Sequence, residues 1–526
     1  MTILLFIILM TVALSRVAKA IEYPFAQCAN LKAPKVPGAE IISIAGIEKR
    51  NFTVPIIPQL LPSPIYGLDI CEVDVYLTHP GVNDKVLVTV WLPLEKWNGR
   101  FQATGGSGYA AGTFEATLGP AVQLGYSAAS TDAGVGNDAL DPGAWALRPN
   151  KTVNWDALIN FAYRSVHDMG IVGKEITAQF YGMKPRYSYW NGCSTGGRQA
   201  MVAAQRYPTI FDGILAGAPA INWAAYVVAE QWPQVVMAEE GAYPSKCELQ
   251  LFTDTAIKQC DELDGVRDGV ITNPDICHFD PYQLVGTHVV CDGETVEIAQ
   301  STAAVVEKML QGPFSSFGEP LWHGLNIGAP LDSLANTTVV NGKRIGYPLF
   351  VNKAWITYWL ARNPGYNVNN MNYAEFEAFF SRSKSEYDEI IGTDNPDLSA
   401  FNHNGGKLIM WQGLADQLIF PKGTIDYRRR VERLMGGSSK VDEFFRLFLA
   451  PGVDHCAGGT TVGAVPSDVL GALVSWVEEK NIPDTLAAEI VDPTTTIKLD
   501  RIICRYPLIA RYRGGDVRKA ESFDCV

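Results

Sequence analysis

Tyr187-Ser188-Tyr189-Trp190-Asn191-Gly192-Cys193-Ser194-Thr195-Gly196-Gly197-Arg198 is the stretch whose reading decides the fold. Tyr187 to Trp190 has the composition of a strand, Gly192 to Gly197 that of a tight turn, and Arg198 to Tyr207 a helical pattern. The strand-like run Gly213 to Pro219 follows, and strand, helix, strand implies a parallel sheet with crossover helices. Within the turn, Gly192-Cys193-Ser194-Thr195-Gly196 has the form G-x-S-x-G, whose glycines permit a strained bend that lifts a serine hydroxyl clear of a strand end. Alone, the pentapeptide also fits an ordinary glycine-rich turn; the strand before it and the helix after it favour the nucleophile.

Toward the N-terminus, Val86 to Leu92 and Arg100 to Ala103 read as strands, the second followed by the glycine-rich stretch Gly105-Gly106-Ser107-Gly108. Trp155 to about Tyr181 reads as a helix with Leu158, Phe161, Ala162, Ser165 and Met169 on one face. Toward the C-terminus the rhythm stops. From about Asn222 to Phe401 aromatics and polar loops dominate, including Trp223, Trp232, Phe314, Phe317, Trp322, Trp355, Tyr358 and Trp359, and residues 222–401 are expected to form an inserted lid. Strand-like runs resume at Lys407 to Trp411 and Phe444 to Ala450, followed by a helical pattern from Ser467 to Lys480. Residues 21–221 and 402–526 are therefore expected to build one domain of the α/β-hydrolase type, a mostly parallel central sheet flanked by helices.

A serine hydroxyl is a weak nucleophile, so it needs a base, and the base needs a carboxylate to fix its tautomer. In this architecture the acid and the histidine follow the serine from loops after later strands. His455 lies just beyond Arg446-Leu447-Phe448-Leu449-Ala450, and Asp416 just beyond Leu408-Ile409-Met410-Trp411, so Ser194, Asp416 and His455 are the expected triad. His403 precedes its strand and reads as a loop residue; Asp454 is a rival acid, poorly placed because it adjoins the base. Cys193 precedes the nucleophile and Cys456 follows the base, so a disulfide between them would carry Ser194 and His455 together, the alternative being a buried free thiol at Cys193. The Thr195 N–H at the helix start is the first expected oxyanion donor, and Gly106 of the glycine-rich stretch the second.

Composition limits the surroundings of that chemistry. The 526 residues are 47% hydrophobic and 19% charged, which is globular. A formal charge of −13, with no basic block, disfavours nucleic acid and anionic lipid as partners. Residues 1–20 read as a signal peptide, an apolar run from Ile3 to Leu14 followed by Ala18-Lys19-Ala20, so the mature chain is expected to start near Ile21; an uncleaved anchor is the alternative. Ten cysteines beyond that segment suit an exported, disulfide-bonded chain. Asn51-Phe52-Thr53, Asn150-Lys151-Thr152 and Asn336-Thr337-Thr338 are glycosylation sequons.

With these residues assembled, the chain resembles the tannase and feruloyl esterase family, whose signature pairs a Cys-Ser with a His-Cys and an intervening Asp. The resemblance rests on Trp97-Asn98-Gly99-Arg100-Phe101, Gly192 to Gly197, Ala415-Asp416, Asp454-His455-Cys456, and the closing Cys504 and Cys525. It implies a secreted serine esterase acting on esters of phenolic acids, such as feruloyl or galloyl groups, without an organic cofactor. It also implies a structural calcium in the lid, on Asp261, Asp264 and Asp268 and the carbonyls of Val266 and Val270, braced by a Cys260–Cys277 bond; read without the family, this segment is equally an acidic, solvated turn. The resemblance further supports Cys28 with Cys71 and Cys504 with Cys525, which leaves Cys247 with Cys291. Two other functions remain open: an esterase for other aromatic or aliphatic esters, and a catalytically silent hydrolase fold used for binding.

Overall fold

The computed structural model describes residues 26–291, 293–458, 462–491 and 498–526. The expected signal peptide, residues 1–20, and the expected start of the mature chain at Ile21 lie outside the described residues. A nine-stranded sheet organises the molecule. Its strands are β1 (Glu40–Val54), β2 (Ile65–Thr78), β3 (Val86–Pro93), β4 (Arg100–Thr104), β5 (Ser127–Thr131), β6 (Tyr187–Cys193), β7 (Gly213–Gly217), β8 (Lys407–Gly413) and β9 (Phe445–Ala450). They stand in the order β1-β2-β3-β5-β4-β6-β7-β8-β9. From β5 to β9 every neighbouring pair is parallel, while β1, β2 and β3 join antiparallel.

The parallel strands are covered on both faces, so β5 and β7 are buried at every residue and read as unbroken runs of small and apolar side chains. Successive residues along a strand point to opposite faces. Trp190, Ile214, Met410 and Leu447 enter one core with α2 (Ser165–Tyr181), α3 (Thr195–Arg206) and α4 (Pro421–Met435). Their neighbours Tyr189, Leu215, Ile409 and Phe448 enter the other with α1 (Glu115–Gln123) and α5 (Val469–Glu479). This doubly covered, mainly parallel sheet is the α/β-hydrolase arrangement. The helix expected from Trp155 to Tyr181 is present, with a π-helical turn, Asn160–Arg164, between Trp155–Ile159 and α2.

The chain leaves the sheet after β7 and re-enters it at β8, paired directly on β7. Residues 222–401 in between form helices and two hairpins, His288–Cys291 with Glu294–Glu297 and Thr337–Val340 with Lys343–Gly346. Their aromatics do not make a core of their own: Trp223, Trp355 and Trp359 are buried with Tyr109, Trp145 and Phe161, which precede the insertion. Five disulfides tie the chain, Cys28–Cys71, Cys193–Cys456, Cys247–Cys291, Cys260–Cys277 and Cys504–Cys525. Among the described residues no helix is long and apolar enough to cross a membrane.

Candidate active site

Ser194 occupies the bend between β6 and α3 with φ 60° and ψ −123°, a strained conformation for a residue with a side chain. Hydrogen bonds hold it there: its N–H donates to Gly217 O (3.1 Å), and its carbonyl accepts from Arg198 N–H (2.9 Å) and Ala220 N–H (3.1 Å). The bend is also tight enough to require Gly192, where a Cβ would lie 2.6 Å from the carbonyl carbon of Gly196.

His455 and Asp416 meet at the ends of β9 and β8. His455 Nδ1 donates to Asp416 Oδ2 at 2.9 Å, and the aspartate is fully buried. Its other oxygen accepts from the N–H groups of Leu418 (2.9 Å) and Ile419 (2.8 Å), while Gln412 Nε2 donates to Oδ2 at 2.7 Å. Gln412 is in turn fixed by the Thr424 hydroxyl (2.9 Å), and the His455 N–H donates to Gln417 Oε1 (3.1 Å). Burial works against a charged His455 ring; the charge and hydrogen bond of Asp416, with the charge of Asp454, outweigh it and raise the pKa of the ring above its usual value. His403 is exposed at the end of the helix Ser399–His403, ahead of β8.

The Cys193–Cys456 bond, with its Cα atoms 6.0 Å apart, joins the residue before Ser194 to the residue after His455. Both side chains open on one cavity of about 580 Å³. Among the described residues no hydrogen bond links the Ser194 hydroxyl to His455, whose Nε2 lies 3.6 Å from Cys456 Sγ. Hydrogen bonds of this kind commonly close only when substrate is bound.

Gly106, expected as the second oxyanion donor, lines the cavity with its N–H already committed. Its N–H is buried and spent on Gln199 Oε1 (3.0 Å), whose Nε2 donates to Ala111 O (2.9 Å), so this glutamine of α3 clamps the glycine loop onto the nucleophile helix. The N–H groups of Gly105 and Ser107 are spent as well, on Asn191 O and Ala110 O. In this loop it is Gly108 whose N–H has no partner among the described residues, as is true of Thr195. The Thr195 hydroxyl donates to Gly108 O (2.6 Å), tying the two free donors together. Gly108 has φ +52°, and a Cβ there would lie 2.2 Å from Ala139 O, so only glycine fits.

Gln199 and Gln412 were not among the expected site residues, and Gly108 was named only as part of the glycine-rich stretch from which Gly106 was expected to donate. The available signal for Gln412 was a lone amide at the end of the apolar run Leu408-Ile409-Met410-Trp411. Among the described residues lining the cavity none comes from 222–401; the walls are the glycine loop, α1, the β6 bend, the loops bearing Gln417 and His455, and Gln59 and Leu60 from the turn between β1 and β2.

The acidic turn after Cys260 is built on its own carboxylates. Asp261 accepts from the N–H groups of Asp268 (3.0 Å), Gly269 (3.1 Å) and Val270 (3.3 Å), and Asp264 from the Val266 N–H (3.1 Å) and the Thr272 hydroxyl. Asp268 forms a buried ion pair with Arg501 (2.7 Å), and its second oxygen is buried without a partner. Three carboxylates against one guanidinium, with one oxygen unmatched, suit a hard cation. They are not gathered around a common point, however: among the described residues no three His, Cys, Asp or Glu side chains converge closely enough to hold a metal.

The chain is similar to known proteins along nearly its whole length. A family model described as tannase and feruloyl esterase matches residues 71–526. The chain is 50% identical over 504 residues to a protein of Arthroderma benhamiae named "Probable feruloyl esterase", covering 95% of this chain and 93% of that one. It is 31% identical over 494 residues to "Probable feruloyl esterase B" of Emericella nidulans, covering 90% of each. Among solved structures it is similar to tannin acyl hydrolase from Aspergillus niger, with TM-score 0.85, 26% identity and coverage of 93% and 92%. Feruloyl esterase B from Aspergillus oryzae gives TM-score 0.78 at 26% identity, covering 95% and 99%.

Proposed function

The chain belongs to the tannase and feruloyl esterase family, and from that premise we propose that it hydrolyses esters of phenolic acids, feruloyl or galloyl, through an acyl-enzyme on Ser194. The Ser194 hydroxyl attacks the ester carbonyl as its proton passes to His455 Nε2, and Asp416 on Nδ1 stabilises the imidazolium that forms. The N–H of Thr195, at the start of α3 beside Ser194 and without a partner among the described residues, receives the charge developing on the carbonyl oxygen. The alcohol leaves with the proton from His455, and water repeats the sequence to release the acid.

One observation carries this reading: the buried Asp416–His455 pair and the strained Ser194 share a cavity and are stapled by Cys193–Cys456. Replacing Ser194 with Ala is expected to cut kcat on methyl ferulate, methyl gallate and a short nitrophenyl ester by about 10⁵-fold or more with the thermal transition unchanged. Activity retained in that variant would overturn the assignment.

The five disulfides support an oxidising destination, and export through residues 1–20 is part of the proposal. Asn51, Asn150 and Asn336 are all exposed, as glycan acceptors must be. We read residues 222–401 as the lid domain, although none of the described residues lining the cavity comes from it, and place in it a structural calcium on Asp261, Asp264, Asp268 and the carbonyls of Val266 and Val270; the unmatched Asp268 oxygen and the excess of carboxylates favour the ion. A chelator is expected to lower Tm and added calcium to restore it, and a Tm indifferent to both rejects the ion.

A further inference from the structure

We propose that Asn326, a residue of the insertion that does not line the active-site cavity, is a positioning residue for the triad: it tethers the loop that carries Asp416 and so keeps Asp416 on His455. This rests on the serine-esterase reading of Ser194, Asp416 and His455. Asn326 Nδ2 donates to Leu414 O at 2.9 Å, two residues before the acid. Among the described residues it is the only hydrogen bond between 222–401 and 413–420.

The acid loop is fastened on one side and open on the other. Leu414 N–H donates to Ala450 O (2.8 Å) and Ala415 N–H to Val453 O (3.0 Å), so the loops of Asp416 and His455 are joined to each other. Gly413 lies so close to that junction that a Cβ there would stand 2.2 Å from Val453 O. Away from it, Leu414 lines two cavities, of about 310 and 220 Å³. A side chain with a void on either side lacks the contacts that fix a packed one, which leaves the bond from Asn326 to locate the loop.

Asn326 has a rigid mount. Leu325, just before it, is buried in the core that holds Tyr109 and Trp355, and its N–H donates to Met309 O (3.1 Å) in the helix Gln300–Gln311. Gly324 meets the same helix where a Cβ would lie 2.1 Å from Leu310 O. The asparagine itself is 3% exposed, and its Oδ1 is buried without a partner among the described residues. An unmatched buried acceptor is destabilising, so packing alone would favour an apolar side chain here. The bond to Leu414 is what the amide supplies and a leucine would not.

That difference gives the test. Asn326→Leu exchanges one unmatched acceptor, Asn326 Oδ1, for another, Leu414 O, so Tm should change little. With the loop released, Asp416 draws back from His455, and the ring loses the partner that, with Asp454, raises its pKa against burial. On methyl ferulate kcat is expected to fall about 10-fold at unchanged KM, and the acidic limb of kcat/KM to move to lower pH, the direction expected of Asp416→Asn. Asn326→Ala, which removes the same bond without filling the space, should move the limb alike. A limb that stays in place in both variants overturns the proposal, whether kcat is unchanged or falls together with Tm, the latter being the mark of a purely structural role. Asp416→Asn is the control: if it leaves kcat and the limb as they are, the triad reading itself fails, and the role of Asn326 with it.

Discussion

His455 can take the Ser194 proton only as a neutral imidazole, so the rate follows its ionisation. Burial alone would favour the neutral ring, but the charge and hydrogen bond of Asp416 prevail and set its pKa above the ordinary 6.5. The acidic limb of kcat/KM is therefore expected above pH 6.5. Asp416→Asn should shift that limb to lower pH and reduce kcat by about 10⁴, because the amide neither stabilises the imidazolium nor enforces the tautomer. Profiles of both proteins on methyl ferulate decide this, and a wild-type limb below 6.5 would contradict it. Ser194, Asp416 and His455 were legible because each follows an apolar strand run, and strand ends in a parallel sheet deliver active-site groups to one edge. The second donor was not legible. Where the N–H of Gly106 points depends on Gln199, 93 residues away in sequence, and no local pattern encodes that contact.

Elements supply the fixed ground on which those residues act. Gln199 joins α3 to the glycine loop by satisfying two buried backbone groups at once, Gly106 N–H and Ala111 O. Gln199→Leu leaves both unmatched, with an expected cost of about 2–4 kcal/mol and a fall in kcat larger than any change in KM, measured by chemical denaturation and steady-state kinetics. A second junction ties β2 to α2: His79 lies between Asp84 (2.7 Å) and Asp168 (3.1 Å), all three largely buried. Burial opposes the charge on His79, the two carboxylates overcome it, and its pKa is raised; burial likewise opposes ionisation of Asp84 and Asp168, and hydrogen bonds lower their pKa values. The His79 contribution to stability is thus complete below pH 6.5 and fades as pH rises through its raised folded value. Those of the aspartates are complete above 3.8 and fade as pH falls through their lowered values. His79→Ala, which leaves two buried carboxylates facing each other, should cost about 3–5 kcal/mol near pH 6 and less at pH 9, as read from Tm across that range. The parallel strands and their helices were readable from the sequence, and Cys71, Val73, Val75 and Leu77 alternate with Glu72, Asp74 and Tyr76 along β2 as a strand requires; β1 was not readable. β1 is partly exposed on both faces and carries Glu48-Lys49-Arg50-Asn51, so the hydrophobic alternation that marks a strand is missing.

At the scale of the molecule, the sequence reading placed an insertion between two parts of one sheet, and β7 and β8 do pair across it. That the tryptophans of the insertion are buried against Tyr109, Trp145 and Phe161 was not legible, because contacts between residues so far apart in sequence leave no local pattern. The parts carrying Ser194 and His455 are joined directly by the pairing of β7 with β8, and Cys193–Cys456 closes the same junction over a separation of 263 residues. On the chain-entropy model such a loop stabilises by roughly 5 kcal/mol, and its position makes it a catalytic staple too. The double variant Cys193→Ser with Cys456→Ser should lose most of that stability. It should also lose about 10²-fold in kcat, the cost expected of a misplacement near 1 Å between nucleophile and base. Opening Cys504–Cys525 instead, a bond spanning 21 residues near the C-terminus, should lower Tm and leave kcat as it was. Denaturation curves and kcat of the two double variants, measured side by side, separate stapling from bulk stabilisation: equal losses of kcat would mean that Cys193–Cys456 acts only on the fold.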